Sequence, residues 1–272
     1  MCGIIGVYLL DQFDVKSLVK QLYESQKGRG TDGYGVLLAN EQFIKRYRAQ
    51  REEEIFRSRI WQYSDKAKVV LFHHRQPTST PNLPPCNHPL RDCFKRFYII
   101  HNGIVSQTKF KLQKKHRFES EIRVIESKYI RKKLISRKAT KEITDSEILA
   151  HWLEERENRF RRNPKEVLGE LAENLRWDAI IFFYRNHPNR MYWCSNGAPL
   201  FAVEAKHYVA LAQYASNYSE DLRQAYGYIE DGKIKILGRI RLGFYEKHQN
   251  KYQNKKVYVM DDEPYRWMYE FF

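Results

Sequence analysis

A chain of 272 residues with 42% hydrophobic and 14% aromatic content is long and apolar enough for one large folded domain or two small ones. That excludes both a disulfide-held mini-protein and a disordered basic tail. The 48 Lys and Arg against 33 Asp and Glu leave a formal charge of +15, which on its own points to nucleic acid, an acidic membrane surface or an acidic partner.

Gly3 to Leu10 is apolar over eight residues and runs into Asp11. It is too short to span a membrane and has no positive leader, so it reads as a buried strand in a soluble, cytoplasmic protein. Val15 to Lys27 places Val15, Leu18, Val19 and Leu22 at helical spacing and is followed by a glycine-rich turn, Gly28 to Gly35. Short strands are expected at 36–39 and 44–47, and a buried one at 68–73. Pro77 to Pro89 holds five prolines and reads as ordered loop. Arg96 to His101 is a strand that stops at Asn102-Gly103, a pair that tolerates positive φ. Asp145 to Arg156 and Lys165 to Asn174 are expected helices, and from Trp177 onward aromatic and aliphatic runs alternate with turn signals, so that half reads as mostly β.

The segment 109–141 differs in composition, with 13 Lys and Arg against three Glu, and so carries +10 of the net charge. Its apolar positions Ile122, Val124, Ile125, Tyr129, Ile130, Leu134 and Ile135 suggest a helical insertion with a basic outer face. The other 239 residues carry only +5, an ordinary value for a soluble domain.

The four cysteines are sparse and irregularly spaced, which implies reduced thiols. Cys2 is open to two readings. It is either a small buried residue or, once Met1 is removed, a nucleophile whose own α-amine, with a pKa of about 7.7–8.0, acts as its base. His101-Asn102-Gly103 at a strand end is either a plain turn or an oxyanion site formed by the Asn102 amide and the Gly103 N–H. Arg75 and Asp145 suit the carboxylate and ammonium of an amino acid, or are a surface charge and a helix cap. Cys86, His88 and Cys93, spaced C-x-H-x4-C, offer three donors and no fourth, so neither a metal nor a cofactor is expected; Cys194 reads as a packed thiol.

MCGIIGV, GRGTDGYG, HHRQPTST with NHP after it, IIHNGIVSQ and TDSEILAHWL resemble, in order, the motifs of class II glutamine amidotransferases. LGELAENLRWDAIIFFY and MYWCSNGAPLFAVE are similar to that family's continuation, and the likeness runs from Met1 to about Leu237. The resemblance implies an α+β fold, a four-layer α/β/β/α sandwich of the N-terminal nucleophile hydrolase type, and hydrolysis of the L-glutamine side-chain amide to glutamate and ammonia. Carried over by residue, it implies Cys2 as nucleophile and Asn102 and Gly103 as the oxyanion hole. Arg75 and Thr78 would lie on the α-carboxylate and Asp145 on the α-ammonium, while Arg29 and Asp32 hold the floor of the site.

Gln76 and Pro77 depart from the aromatic-then-small pair the family usually shows after the arginine. The expected layout is a glutaminase-type domain over 1–240, interrupted by the basic insertion at 109–141, with 241–272 as a C-terminal extension that packs on the domain or docks a partner. With the chain ending at Phe272, ammonia is expected to pass to a separate synthase chain, and homo-oligomers fit the same reading. The alternative is a catalytically altered protein of this fold that binds nucleic acid or an acidic partner through 109–141.

Overall fold

The computed structural model describes residues 2–77, 80–130, 133–215 and 218–240, the side chains at 124–139 apart. In chain order the elements are β1 (Gly3–Leu9), α1 (Val15–Gln26), β2 (Gly33–Ala39), β3 (Ile44–Ala49), α2 (Glu52–Arg57), β4 (Val69–Arg75), β5 (Leu90–Arg91), β6 (Phe97–Asn102), β7 (Ile122–Ile130), β8 (Lys133–Glu142), α3 (Glu147–Glu155), α4 (Glu157–Arg162), α5 (Pro164–Asn174), β9 (Asp178–Tyr184), β10 (Met191–Asn196), β11 (Phe201–Glu204), β12 (Tyr208–Ala212), β13 (Glu220–Asp221), β14 (Gln224–Glu230) and β15 (Lys233–Arg239). One antiparallel sheet has the order β13-β11-β12-β1-β4-β2-β3 and the other β15-β14-β10-β9-β6-β5.

The central strands are apolar without a break because both of their faces are covered. In β1, Ile4 and Tyr8 face the second sheet, while Ile5, Val7 and Leu9 join the core under α1 and α2. In β9, Ala179, Ile181 and Phe183 face the first sheet, and Ile180, Phe182 and Tyr184 pack under α3 to α5. Three apolar seams separated by two sheets make the four-layer α/β/β/α sandwich, with the inter-sheet seam built on Tyr8, Tyr98, Met191 and Trp193.

Local chemistry starts the helices. Asp14 accepts from the Ser17 amide at 3.1 Å to cap α1, and Asn163 accepts from the Glu166 amide at 3.3 Å in front of Pro164. Two short helices, α2 and α4, were not expected; the three glutamates opening α2 are the signal for it. No described helix is long and apolar enough to cross a membrane.

The helical expectation for the basic segment is corrected. Residues 122–142 form a two-stranded antiparallel hairpin, β7 with β8, from Ile122 opposite Glu142 to Ile130 opposite Lys133. The β-branched residues Ile122, Val124, Ile125, Ile130, Ile135 and Thr140 favour extended backbone, and cross-strand pairing outweighs the helical spacing of a few apolar positions. The C-terminal extension expected at 241–272 lies outside the described residues.

The loop from 76 to 89 is held against β2, where a Cβ built on Gly35 would collide with the His88 carbonyl oxygen. Gly35→Ala is therefore expected to lower unfolding stability by about 3 kcal/mol, measured by urea titration, because backbone rather than a mobile side chain has to move.

Candidate functional site

The antiparallel pairing of β1 with β4 sets Gly3 opposite His74, so the start of the chain lies beside the end of β4 at Arg75. β6 belongs to the other sheet, and its last residue reaches across. The Cys2 amide donates to Asn102 Oδ1 at 3.1 Å. With its oxygen so engaged, the Asn102 side chain keeps Nδ2 as a donor for a second partner. The Cys2 thiol donates to the Gln76 carbonyl at 3.6 Å, and Arg29 Nε donates to the Cys2 carbonyl at 3.0 Å. Burial pushes the Cys2 thiol up, with the positive charges of Arg75 and Arg29 pulling it the other way.

Gly103 follows Asn102 with φ +150, and a Cβ there would overlap the Asp178 carboxylate. Asp178 organises this turn. It accepts from the Ile104 amide at 2.8 Å and from the Arg176 amide at 2.7 Å, and His101 Nε2 lies 3.4 Å away. His101 Nδ1 meets Ser146 Oγ at 2.9 Å, tying the turn to the segment before α3. Asp178 is the residue that the motif reading passed over. The available signal was an acidic residue at the head of an otherwise apolar strand, Asp178 before Ala179 to Tyr184.

Asp145 is half-buried just ahead of α3. It accepts from the Val105 amide at 2.9 Å, and so braces the chain two residues past Gly103. Arg75 is almost fully buried, and burial lowers its basicity while Cys2 and Asp145 act to raise it. Its Nη2 donates to the Thr80 carbonyl at 3.0 Å and to Thr80 Oγ1 at 2.5 Å, and its Nη1 to the Pro81 carbonyl at 3.0 Å and Asn87 Oδ1 at 3.3 Å. Four of its five donors thus hold the proline-rich loop. Thr80 Oγ1 also contacts Thr144 Oγ1 at 3.3 Å, next to Asp145. Asp32 joins the floor by donating its amide to the Arg75 carbonyl at 2.9 Å. Thr78 lies outside the described residues.

Cys2, Arg75, Asn102-Gly103 and Asp145 thus come from four separate stretches of chain. Cys86 and His88 do not join Cys93. Cys86 faces the Ser120 carbonyl at 3.8 Å. His88 packs on His73 with ring centroids 4.0 Å apart, and burial holds its imidazole well below the usual range. Cys93 keeps other company, described below.

No protein-family profile matches the chain. It is similar to the glutamine–fructose-6-phosphate aminotransferase (isomerizing) of Thermococcus kodakarensis, 27% identical over 205 residues that make up 74% of this chain and 30% of that protein. Its counterpart in Thermotoga maritima is 24% identical over 272 residues, 97% of this chain and 40% of that protein. The chain thus spans less than half the length of these curated relatives. Among solved structures, glutamine phosphoribosylpyrophosphate amidotransferase from B. subtilis superposes with a TM-score of 0.61 at 16% identity, over 89% of this chain and 50% of that one, which is a likeness of fold. The chain resembles class II glutamine amidotransferases in sequence and has the N-terminal nucleophile hydrolase fold.

Because burial keeps the Cys2 thiol protonated at neutral pH, its alkylation by iodoacetamide should rise with pH around a midpoint above the free-thiol value of about 8.5. Peptide mapping by mass spectrometry across a pH series checks this, with buried Cys194 as the unreactive reference. A midpoint below that of free cysteine would show that the arginines, not burial, control the thiol.

Proposed function

We propose that this chain is a glutamine amidotransferase domain that hydrolyses the side-chain amide of L-glutamine, with residues 1–240 as the glutaminase unit. The observation that carries the reading is the 3.1 Å hydrogen bond from the Cys2 N–H to Asn102 Oδ1, which sets the cysteine beside a side-chain amide from the other sheet. The similarity to glutamine-dependent aminotransferases supports it.

Removal of Met1 converts the Cys2 amide into an amine. The amine keeps the bond to Asn102 and takes the thiol proton. The thiolate attacks the glutamine Cδ, and Asn102 Nδ2 with the Gly103 N–H stabilises the oxyanion. As the tetrahedral intermediate collapses, the C–N bond breaks and the ammonium returns its proton to the leaving nitrogen, which departs as ammonia. Water activated by the same amine then cleaves the thioester to glutamate. Asp145 holds the substrate ammonium.

Arg75 takes the α-carboxylate through a donor that the 80–87 loop has to release, with Thr78 beside it. The ammonia passes to a synthase site that accepts it.

The purified chain, lacking Met1 by mass spectrometry, should release ammonia from glutamine in a coupled glutamate dehydrogenase assay. Cys2→Ala should abolish the release, and Asn102→Ala should lower kcat by about 10²–10³. A free amino-terminal Cys2 with no turnover above background would overturn the proposal.

Arg75→Lys separates two roles for the arginine. Carboxylate binding predicts at least about a tenfold rise in KM with kcat nearly kept. A pure loop brace predicts a lower Tm with KM unchanged.

A further inference from the structure

Cys93 lies in the turn between β5 and β6, His116 in the loop between β6 and β7, and His151 and Glu154 on α3. One donor atom from each lies within 4.8 Å of every other. Cys93 Sγ is 3.7 Å from His116 Nδ1 and 3.7 Å from His151 Nδ1. Glu154 Oε2 is 2.9 Å from His151 Nδ1 and 3.3 Å from His116 Nδ1. Bonds of about 2.3 Å to sulfur and about 2.0–2.1 Å to nitrogen or oxygen, at tetrahedral angles, give donor–donor edges of roughly 3.3–3.6 Å. The two sulfur–imidazole separations and the one between Glu154 and His116 lie close to such edges, and the 2.9 Å between Glu154 and His151 has to open to admit an ion.

The far side of each imidazole decides what its near side offers. His116 Nε2 meets Glu155 Oε1 at 2.9 Å, and His151 Nε2 faces Glu147 Oε1 at 3.6 Å. A carboxylate only accepts, so Glu155 keeps the His116 proton on Nε2 and leaves the Nδ1 lone pair of that ring turned inward, whereas His151 Nδ1, 2.9 Å from Glu154 Oε2, releases its proton when a cation takes the place between them. Those carboxylates are themselves fixed. Glu155 accepts from the Gln113 and Lys114 amides at 2.8 Å each, and Glu147 accepts from the Glu119 amide at 2.7 Å and the Ser120 amide at 2.8 Å. Phe118 sets its edge on the His151 ring, centroids 4.7 Å apart. Two imidazole nitrogens, a carboxylate and a sulfur therefore converge on one point, and a divalent cation, displacing the proton held between His151 and Glu154, supplies the charge that balances a thiolate and a carboxylate.

We infer that Cys93, His116, His151 and Glu154 form a zinc site. Mixed sulfur and imidazole donors select Zn²⁺ over Mg²⁺ or Ca²⁺, which require oxygen ligands. All four positions are filled by the protein, so the site is structural, and the cleft of about 840 Å³ that Cys93 and His116 help to line gives the ion its way in. The ion clips the loop leading from Gly103 to β7 onto α3. In the sequence Cys93 stood among three candidate donors with Cys86 and His88, and the His151-x-x-Glu154 spacing puts two further donors on one helical face.

Protein purified without chelator from zinc-supplemented medium should carry about one Zn²⁺ per chain by mass-spectrometric metal analysis. After extraction with dipicolinate, one equivalent of Co²⁺ should give the visible absorption of a tetrahedral site and a sulfur-to-cobalt charge-transfer band. Cys93→Ser should lose that band. Glu155→Gln, which keeps every ligand, should weaken Co²⁺ binding by about 10- to 100-fold while its circular dichroism stays native. Folded wild-type protein that holds no stoichiometric zinc and develops no Co²⁺ band would overturn the inference, as would a Cys93→Ser spectrum identical to wild type.

Discussion

The hydrogen bond from Cys2 to Asn102 joins the two sheets at one edge of the sandwich, and the proposed chemistry depends on it. Each partner sits at the tip of a central strand, one at the start of β1 and the other at the end of β6. The two tips meet only because the sheets are packed face to face on Tyr8, Tyr98, Met191 and Trp193. A core of that kind is closely packed and deforms little, so it holds the thiol and the side-chain amide in register without a dedicated scaffold around them. The Gly103 turn is fixed from behind by Asp178, whose buried carboxylate accepts two backbone amides and leaves no room for a side chain at position 103.

Charge is arranged around that edge with the same economy. Arg29 and Arg75 bring positive charge to a thiol whose basicity burial raises, and Asp145 adds a negative charge that acts on Arg75. Arg75 spends most of its donors on Thr80, Pro81 and Asn87, so the proline-rich loop, the end of β4 and the segment before α3 behave as one unit. The proposed binding of a carboxylate by this arginine therefore competes with its hold on the loop.

The loop from 103 to 121 links the two sites. It leaves the Gly103 turn, is pinned at Val105 by Asp145, crosses α3 through Glu155 and Glu147, and reaches Glu119. Glu119 is gripped by Arg46 at 2.5 Å, Arg48 at 2.8 Å and Arg91 at 3.2 Å, and burial and these cations act on it in opposite directions, with the cations prevailing. A zinc ion at Cys93, His116, His151 and Glu154 would rigidify the middle of this path, between the Gly103 turn and the root of the β7–β8 hairpin.

The sequence by itself determined the strands and helices that carry the site, and the residues at their ends. A strand buried on both faces is a continuous apolar run, as in Gly3–Leu9 and Asp178–Tyr184, and a helix start needs a cap such as Asp14 or Asn163; these are local signals. Cys2, Arg75, Asn102-Gly103 and Asp145 were legible as a set only through the ordered motifs that resemble class II glutamine amidotransferases. Tertiary structure alone decided the rest. Segment 122–142 fits helical spacing and strand propensity alike, and cross-strand pairing chose the hairpin. Arg75 read as a free fork until the loop folded back onto it. Cys93, His116 and the pair on α3 are distant in the chain, and no periodicity links them; only the packing of the 103–121 loop on α3 brings their donor atoms together, because contact between remote residues is a property of the folded core and not of any window of sequence.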